Sequence, residues 1–408
     1  MKSFVALSLL SAGVNAFPWV AHAPGVDSSA LHSVEKRQQA PQPGGPGSAE
    51  TCPFNAQHVD AVPVKQGQYN NARGGRKGNE KGGYQVPRPD DLDHQFIAPR
   101  PGIDIRGPCP GLNVAANHGF LARDGVTTFN ELVDAQQNVY NVGYDLSLLL
   151  AFLGLQADGD LVTTKLSIGC DATTRTSINP ALTGSQPGLA GHNKFEADTS
   201  LTRNDFFTGG GDNFSFNRTL FDMMSRSTGG LHNVENLAKY RGERWDQSVL
   251  ENNNFFFGPL SLLLFGAASF LYELMPSGPN YIPDQETMNS FFIRERLPEN
   301  WINRVEPYTN RLVTREILKM YLLNPRPFGA NTADGGFTGL NWRQIQNGKL
   351  ELSVEAPETL CLLYQLATQV QPSTLNGVIT PTVEALSFFL TRVGPEFDNL
   401  GCARPLTK

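Results

Sequence analysis

Apolar residues recur at three- and four-residue steps from Phe129 to Phe152, behind a Thr128-x-x-Glu131 capping box, and the pattern predicts a helix over 129–152. The same period predicts amphipathic helices at 219–224, 234–250, 288–296, 313–323, 359–370 and 383–393. Looser alternation over 162–168 predicts one short strand. Helical periods dominate, so the expected class is mostly α, a single domain of about ten helices with few short strands. No repeat of 20–50 residues stands out, which excludes a solenoid.

Two stretches break this rhythm. Phe255 to Tyr272 runs 18 residues without a charge, long enough for a membrane span. Gly258-Pro259 interrupts it, Ser261 and Ser269 dilute it and no basic flank follows, so a buried core helix is expected and no membrane span. Before the helical region, residues 38–101 read as linker: Pro-Gln-Pro-Gly-Gly-Pro-Gly at 41–47 and Asn70 to Gly78 hold too little apolar surface to offset the entropy of ordering. Lys65, Arg73, Arg76, Lys77 and Lys81 there read as a solvated basic cluster.

At the N-terminus, Lys2, the apolar run Phe4–Leu10 and Val14-Asn15-Ala16 have the layout of a secretory signal peptide. The expected organisation is a leader at 1–16, a propeptide or disordered Pro-Gly-rich linker at 17–95, and a folded domain at 96–405. Lys36-Arg37 reads equally as a second processing site or an exposed basic pair. The destination is the cell exterior or the lumen of a secretory compartment, where disulfides persist.

Composition sharpens the class. The 408 residues carry a net charge of −6 with 40% hydrophobic positions, which argues for a large core and against a nucleic-acid partner. Five cysteines are an odd number, so at least one is unpaired within the chain. No Cys-x-x-Cys pair, Gly-x-Ser-x-Gly elbow or P-loop is present.

The candidate chemistry centres on Arg106-Gly107-Pro108-Cys109-Pro110-Gly111-Leu112-Asn113, continuing to Ala116-Asn117-His118-Gly119. Cys109 lies between two prolines at the start of an apolar helical run, where the helix dipole and free N–H groups favour a thiolate. Such a sulfur suits an axial haem ligand, although the residues alone also allow a half-cystine or a buried thiol. Glu196 and Ser200, four apart, would share one helix face and offer oxygens to a hard cation; the alternative is a helix cap made by Asp198 or Ser200.

Pro108-Cys109-Pro110 with Ala116-Asn117-His118-Gly119 resembles the signature of the fungal haem-thiolate peroxidases, the chloroperoxidase and unspecific peroxygenase family. Leu166-Ser167-Ile168-Gly169, Phe195 to Arg203 and Asn213 to Phe221 follow in the family's order, so the resemblance spans about residues 96–403. It implies Cys109 as axial ligand of haem b, with Glu196, the Ala197 carbonyl and Ser200 holding Mg²⁺ (or Mn²⁺) beside a haem propionate. It also implies a disulfide between Cys361 and Cys402, leaving Cys52 and Cys170 to pair or Cys52 to depart with a propeptide. Asn213 and Asn217 head glycosylation sequons.

The chain departs from that pattern. Ala197 replaces the family's Gly or His. Alignment of Asn252 to Phe257 places Ser261 and Ala268 where members carry a distal Arg and Glu, and neither exchanges a proton near neutral pH. Glu273 is the nearest downstream carboxylate and the candidate substitute; His118 reads as structural and His192 as a weak base candidate. The expected function is a secreted peroxidase or peroxygenase that uses hydrogen peroxide to oxidise or hydroxylate small aromatic or apolar substrates, a dedicated biosynthetic step being one such role. The alternatives are a low-turnover haem-binding peroxide sink or sensor, and a haloperoxidase.

Overall fold

The computed structural model describes residues 42–179, 185–277, 281–341 and 344–351, with the isolated positions 361, 391, 392 and 395. The leader at 1–16, Lys36-Arg37, Cys402 and nearly all of the helices expected at 359–370 and 383–393 lie outside these residues.

The fold is mostly α, as the periodicity implies, with nine α-helices among the described residues. Helix α1 spans Pro110–Asn117, α2 Phe129–Tyr140, α3 Tyr144–Asp158, α4 Thr173–Thr176, α5 Arg218–Thr228, α6 Val234–Glu251, α7 Leu262–Glu273, α8 Gln285–Met288 and α9 Asn310–Leu323. The strands are short: β1 Val126–Thr128 pairs antiparallel with β2 Lys165–Ser167, and β3 Phe256–Phe257, β4 Gly329–Asn331 and β5 Phe337–Gly339 form a second ladder. A third pair joins β6 Ile345–Gln346 to β7 Lys349–Leu350. In the core, α7 packs on α9, α9 on α6, α6 on α5, and α2 on α3.

The capping box at Thr128 is present, with Glu131 N–H donating to the Thr128 hydroxyl and Thr128 N–H to the Glu131 carboxylate. The single helix expected over 129–152 is instead two. Asn141 takes a left-handed conformation (φ 55°) that ends α2, and Gly143 starts α3 after donating to the Tyr308 carbonyl. The expected core helix at 255–272 is likewise divided, because Gly258-Pro259 places β3 and a 3₁₀ turn (Pro259–Ser261) ahead of α7. No helix is long and apolar enough to cross a membrane among the described residues.

The linker reading is corrected for residues 42–95. This segment has turns and one isolated bridge, yet Val64, Tyr69, Asn70, Ala72 and Val86 are buried. Its order comes from the polar side of α2. Asn138 Nδ2 donates to the Ala72 carbonyl (2.8 Å), Gln137 Oε1 accepts from Gly78 N–H (2.9 Å), and Asn70 Nδ2 donates to Asn141 Oδ1 (2.8 Å). A disulfide between Cys52 and Cys170 ties the strap to the body, one of the two outcomes left open for those cysteines. The basic side chains Lys65, Arg73, Arg76, Lys77 and Lys81 are exposed, as expected. Cys361 is disulfide-bonded, while Cys402 lies outside the described residues.

Candidate active site

Cys109 caps the N-terminus of α1 in an extended conformation, with Pro110 as the first helical residue. Burial pushes the Cys109 thiol above its usual range, partly opposed by the backbone N–H groups of Leu112 and Gly111. It is the free cysteine among the described residues, and its exposed surface faces an internal cavity.

The loop before Cys109 is fixed by the signature residues themselves. Asn113 closes a two-way pair with Gly107, accepting from its N–H (2.9 Å) and donating to its carbonyl (3.0 Å), and also donates to Glu295 Oε1 (2.8 Å). Asn117 accepts from the Arg106 guanidinium (2.6 Å) and donates to the Glu295 carbonyl (2.8 Å). His118 Nδ1 donates to the His94 carbonyl (3.1 Å) and Nε2 accepts from Leu297 N–H (3.2 Å), which makes it the neutral structural residue expected. Burial lowers its pKa to about 4. Gly107 is required sterically, since a Cβ there would lie 1.7 Å from the Ile168 carbonyl oxygen. Glu295 and the 295–297 turn were not singled out in the sequence and carry no local signal.

The cavity encloses about 1380 Å³ including its mouth and joins Cys109 to Glu196, Ser200 and Arg241. The remaining polar lining is satisfied locally: Tyr140 donates to the Gly111 carbonyl (2.7 Å) and Gln136 Nε2 to the Leu132 carbonyl (3.0 Å). The other wall is α7, which contributes Leu263, Leu264, Ala267, Phe270 and Leu271. Arg241 and Tyr140 were missed because each sits inside an ordinary amphipathic pattern.

Glu196 and Ser200 do come together, but not on a helix. Residues 192–205 form a loop in which His192 bridges to Glu196 and Thr199 is left-handed (φ 71°). Arg241 donates to the Thr199 carbonyl and hydroxyl, Arg244 to the Ser200 carbonyl (2.9 Å), and Asp205 accepts from Thr199 N–H (2.9 Å). The expected helix face is thus corrected: the loop's own charge network positions the pair, and neither Asp198 nor Ser200 caps a helix. Burial raises the Glu196 pKa to about 7, partly opposed by the Ser200 hydrogen bond and the Arg203 and Arg241 charges. Its Oε1 is buried without a hydrogen-bond partner. Ala197 is buried beside it.

Ser261 and Ala268 do not line the cavity. Ser261 ends the 3₁₀ turn and is buried, and Ala268 is fully buried within α7. Ala267, one position earlier, lines the cavity. The conclusion that this wall lacks an acid or base is unchanged. Glu273 ends α7 away from the cavity in an ion pair with Arg304, which argues against it as a substitute. His192 is buried against Phe206 (ring centroids 4.4 Å), with burial lowering its pKa to about 3, and does not line the cavity. Of the sequon residues, Asn213 is buried with its amide unpaired, while Asn217 caps α5 and donates to Asn204 Oδ1 (2.6 Å). A glycan at either position would have to displace these arrangements.

Comparison with known proteins follows the same residues. The model of the family "Peroxidase, family 2" matches residues 94–306. An aromatic peroxygenase of Coprinellus radians is 37% identical over 227 residues, covering 52% of this chain and 84% of that protein. An aromatic peroxygenase of Cyclocybe aegerita is 30% identical over 302 residues, covering 72% and 76% respectively. A dothistromin biosynthesis peroxidase of Dothistroma septosporum is 29% identical over 326 residues, covering 73% and 78%.

Proposed function

The chain belongs to the family 2 peroxidases, the fungal haem-thiolate peroxidases, and from that premise we propose that Cys109 is the axial thiolate of a haem b bound in the cavity beside α1. Enzymes of this family are oxidoreductases that use a peroxide. The observation that carries the assignment is a free sulfur at a helix N-terminus, opening on a cavity lined mostly by apolar residues. A thiolate-bound haem supplies peroxide activation and electron donation that favours O–O cleavage.

This chain's residues do the rest. Gly111 and Leu112 N–H groups spread the charge of the sulfur, and the Asn113–Gly107 pair and Asn117 hold the loop that presents it. The leucine-rich wall of α7 excludes water and orients a small aromatic or apolar substrate for hydroxylation or one-electron oxidation. Glu196 Oε1, the Ala197 carbonyl and the Ser200 hydroxyl are hard oxygen donors suited to Mg²⁺ or Mn²⁺. No group of three or more His, Cys, Asp or Glu able to hold a metal occurs among the described residues. The remaining positions around such a cation would fall to the cofactor's carboxylates and water. The protein is secreted through the leader at 1–16, and the biosynthesis peroxidase among its relatives supports a dedicated biosynthetic step.

The apolar α7 wall favours a second reading, a haem protein of low turnover that serves as a peroxide sink. The deciding experiment is the absorption spectrum of the reduced protein under carbon monoxide, beside a Cys109→Ala variant. A strongly red-shifted Soret band in the wild type alone is expected. The same spectrum in both proteins would remove Cys109 as ligand. Peroxide-dependent oxidation of an aromatic substrate then separates the enzyme from the sink.

A further inference from the structure

We propose that Trp301, reached through Tyr140, gives up an electron to this site when a peroxide arrives and no substrate is present, so that the oxidising equivalent rests on a buried indole rather than on Cys109 or the cofactor. The inference rests on the proposed haem-thiolate reading. Tyr140 ends α2, lines the cavity and donates to the Gly111 carbonyl (2.7 Å). A Cβ on Gly111 would meet the Tyr140 hydroxyl oxygen at 3.6 Å and Cys109 Sγ at 3.9 Å, so phenol and sulfur flank one backbone position. The Trp301 indole stands edge-on to that phenol ring, with centroids 6.0 Å apart and planes at 73°. Trp301 is fully buried, and its Nε1 donates (2.8 Å) to the carbonyl of Met275, which also lines the cavity. The indole therefore lies one side chain behind the cavity on two sides. Trp245, the other tryptophan among the described residues, packs on Phe255 and Phe337 instead.

The hydrogen bonds decide which of the two rings holds the charge. A phenol is readily oxidised only if its proton leaves with the electron, and the Tyr140 hydroxyl faces a backbone carbonyl, which does not take up a proton. An indole gives up an electron and keeps its N–H, and the Met275 carbonyl then holds the cation through a charge-assisted hydrogen bond. Tyr140 is thus the bridge and Trp301 the donor. Hydrogen peroxide takes two electrons from the site and, with two protons, leaves as two waters. Trp301 returns one of these electrons and becomes an indole radical cation. Two molecules of a phenol or aromatic amine from solution then restore the site and Trp301 with one electron each, and release the two protons that the waters took up. A substrate held in the cavity touches the site directly and reacts before the pair does.

The test is freeze-quench electron paramagnetic resonance of the haem-loaded protein mixed with hydrogen peroxide alone. An organic radical is expected, and its hyperfine pattern should narrow in protein made with ring-deuterated tryptophan but not with ring-deuterated tyrosine. Trp301→Phe should lose the signal and Trp245→Phe should retain it. Tyr140→Phe, which keeps the bridging ring, should still give a tryptophan signal. Protection is the second readout: under repeated additions of peroxide, Trp301→Phe should lose its Soret band permanently and faster than the wild type. A tyrosine-centred radical, a tryptophan signal that survives Trp301→Phe, or equal Soret loss in the two proteins would each overturn the proposal. Should Trp301→Phe fail to take up haem, mass-spectrometric mapping of the peroxide-treated wild type decides in its place. Oxygen added at Trp301 supports the assignment, and oxygen added at Trp245 or Tyr140 instead removes it. If peroxide leaves the Soret band unchanged, the peroxidase reading itself fails. If the band responds and no organic radical forms, only the Trp301 assignment fails.

Discussion

The cavity has two walls built on opposite rules. Around Cys109, positions are set by hydrogen bonds of fixed direction: Asn113 to both backbone groups of Gly107, Asn117 to Arg106 and Glu295, and His118 to His94 and Leu297. Helix α7 is set by shape. Gly266 lies against Ile317 and Val313 of α9, and Phe265 meets Tyr321 edge-on (centroids 5.8 Å). A buried polar contact joins the Ser269 and Tyr308 hydroxyls (2.9 Å). The hydrogen-bonded wall fixes one atom in place. The packed wall defines the space in which a ligand lies, and its chemistry changes with a single side chain on its inner face.

The largest expected effect is at the sulfur. Cys109→Ala should abolish the thiolate-type haem spectrum while circular dichroism keeps the helical signal, because the loop's hydrogen bonds do not involve Sγ. A collapse of the fold in this variant would show that the wall depends on the sulfur.

Next comes a contrast within α7. Ala268→Glu should destabilise the protein by about 4 kcal/mol or more, since it buries an unpaired carboxylate. Ala267→Glu, facing the cavity, should cost about 1 kcal/mol or less. Similar urea midpoints for the two variants would show that α7 does not turn Ala267 to the cavity and Ala268 to the core.

The third effect is acid sensitivity. His118 is held neutral by burial, opposed by its hydrogen bond to the His94 carbonyl and aided by the Arg123 and Arg296 charges, with a pKa of about 4 against about 6.5 unfolded. Between those values the unfolded chain takes up a proton that the folded protein refuses, so stability falls as pH drops from 6.5 to 4. The loss reaches about 3 kcal/mol at most. His118→Gln should flatten that limb by one proton in urea titrations at pH 7 and 4.5. An unchanged slope would separate His118 from the acid response.

The smallest effect is Asn113→Ala, expected to cost about 2 kcal/mol by leaving the buried Gly107 N–H and carbonyl unpaired. A neutral result in thermal unfolding would place the rigidity of this wall in the prolines rather than in the hydrogen bonds.

The chemistry of the first wall was legible because its parts are adjacent in the chain: Pro-Cys-Pro, then Asn113, Asn117 and His118 at helical spacing. The second wall was legible in kind. An uncharged run fills every side of a helix, so periodicity could not tell Ala267 from Ala268, and the neighbours α6 and α9 decide which side meets the cavity. Residues 42–95 misled for a related reason. Their composition is that of a solvated linker, and their order comes from Asn138, Gln137 and Asn141, polar residues that α2 turns inward. Glu196 and Ser200 were found by motif, but their meeting on a loop depends on Asp205, Arg241 and Arg244, the two arginines lying more than 40 residues away.

The sequence by itself determined the helical class, the capping box, the sulfur and its signature, and the lack of an acid on the wall across the cavity. These follow from local residue order, where period, turn chemistry and neighbouring side chains act within a few positions. Only the tertiary structure decided the break at Asn141, the packing of the N-terminal strap, the Cys52–Cys170 bond and the face that α7 turns inward. Each of those depends on contacts between segments distant in the chain, and the free energy of such contacts is not written in any one stretch of it.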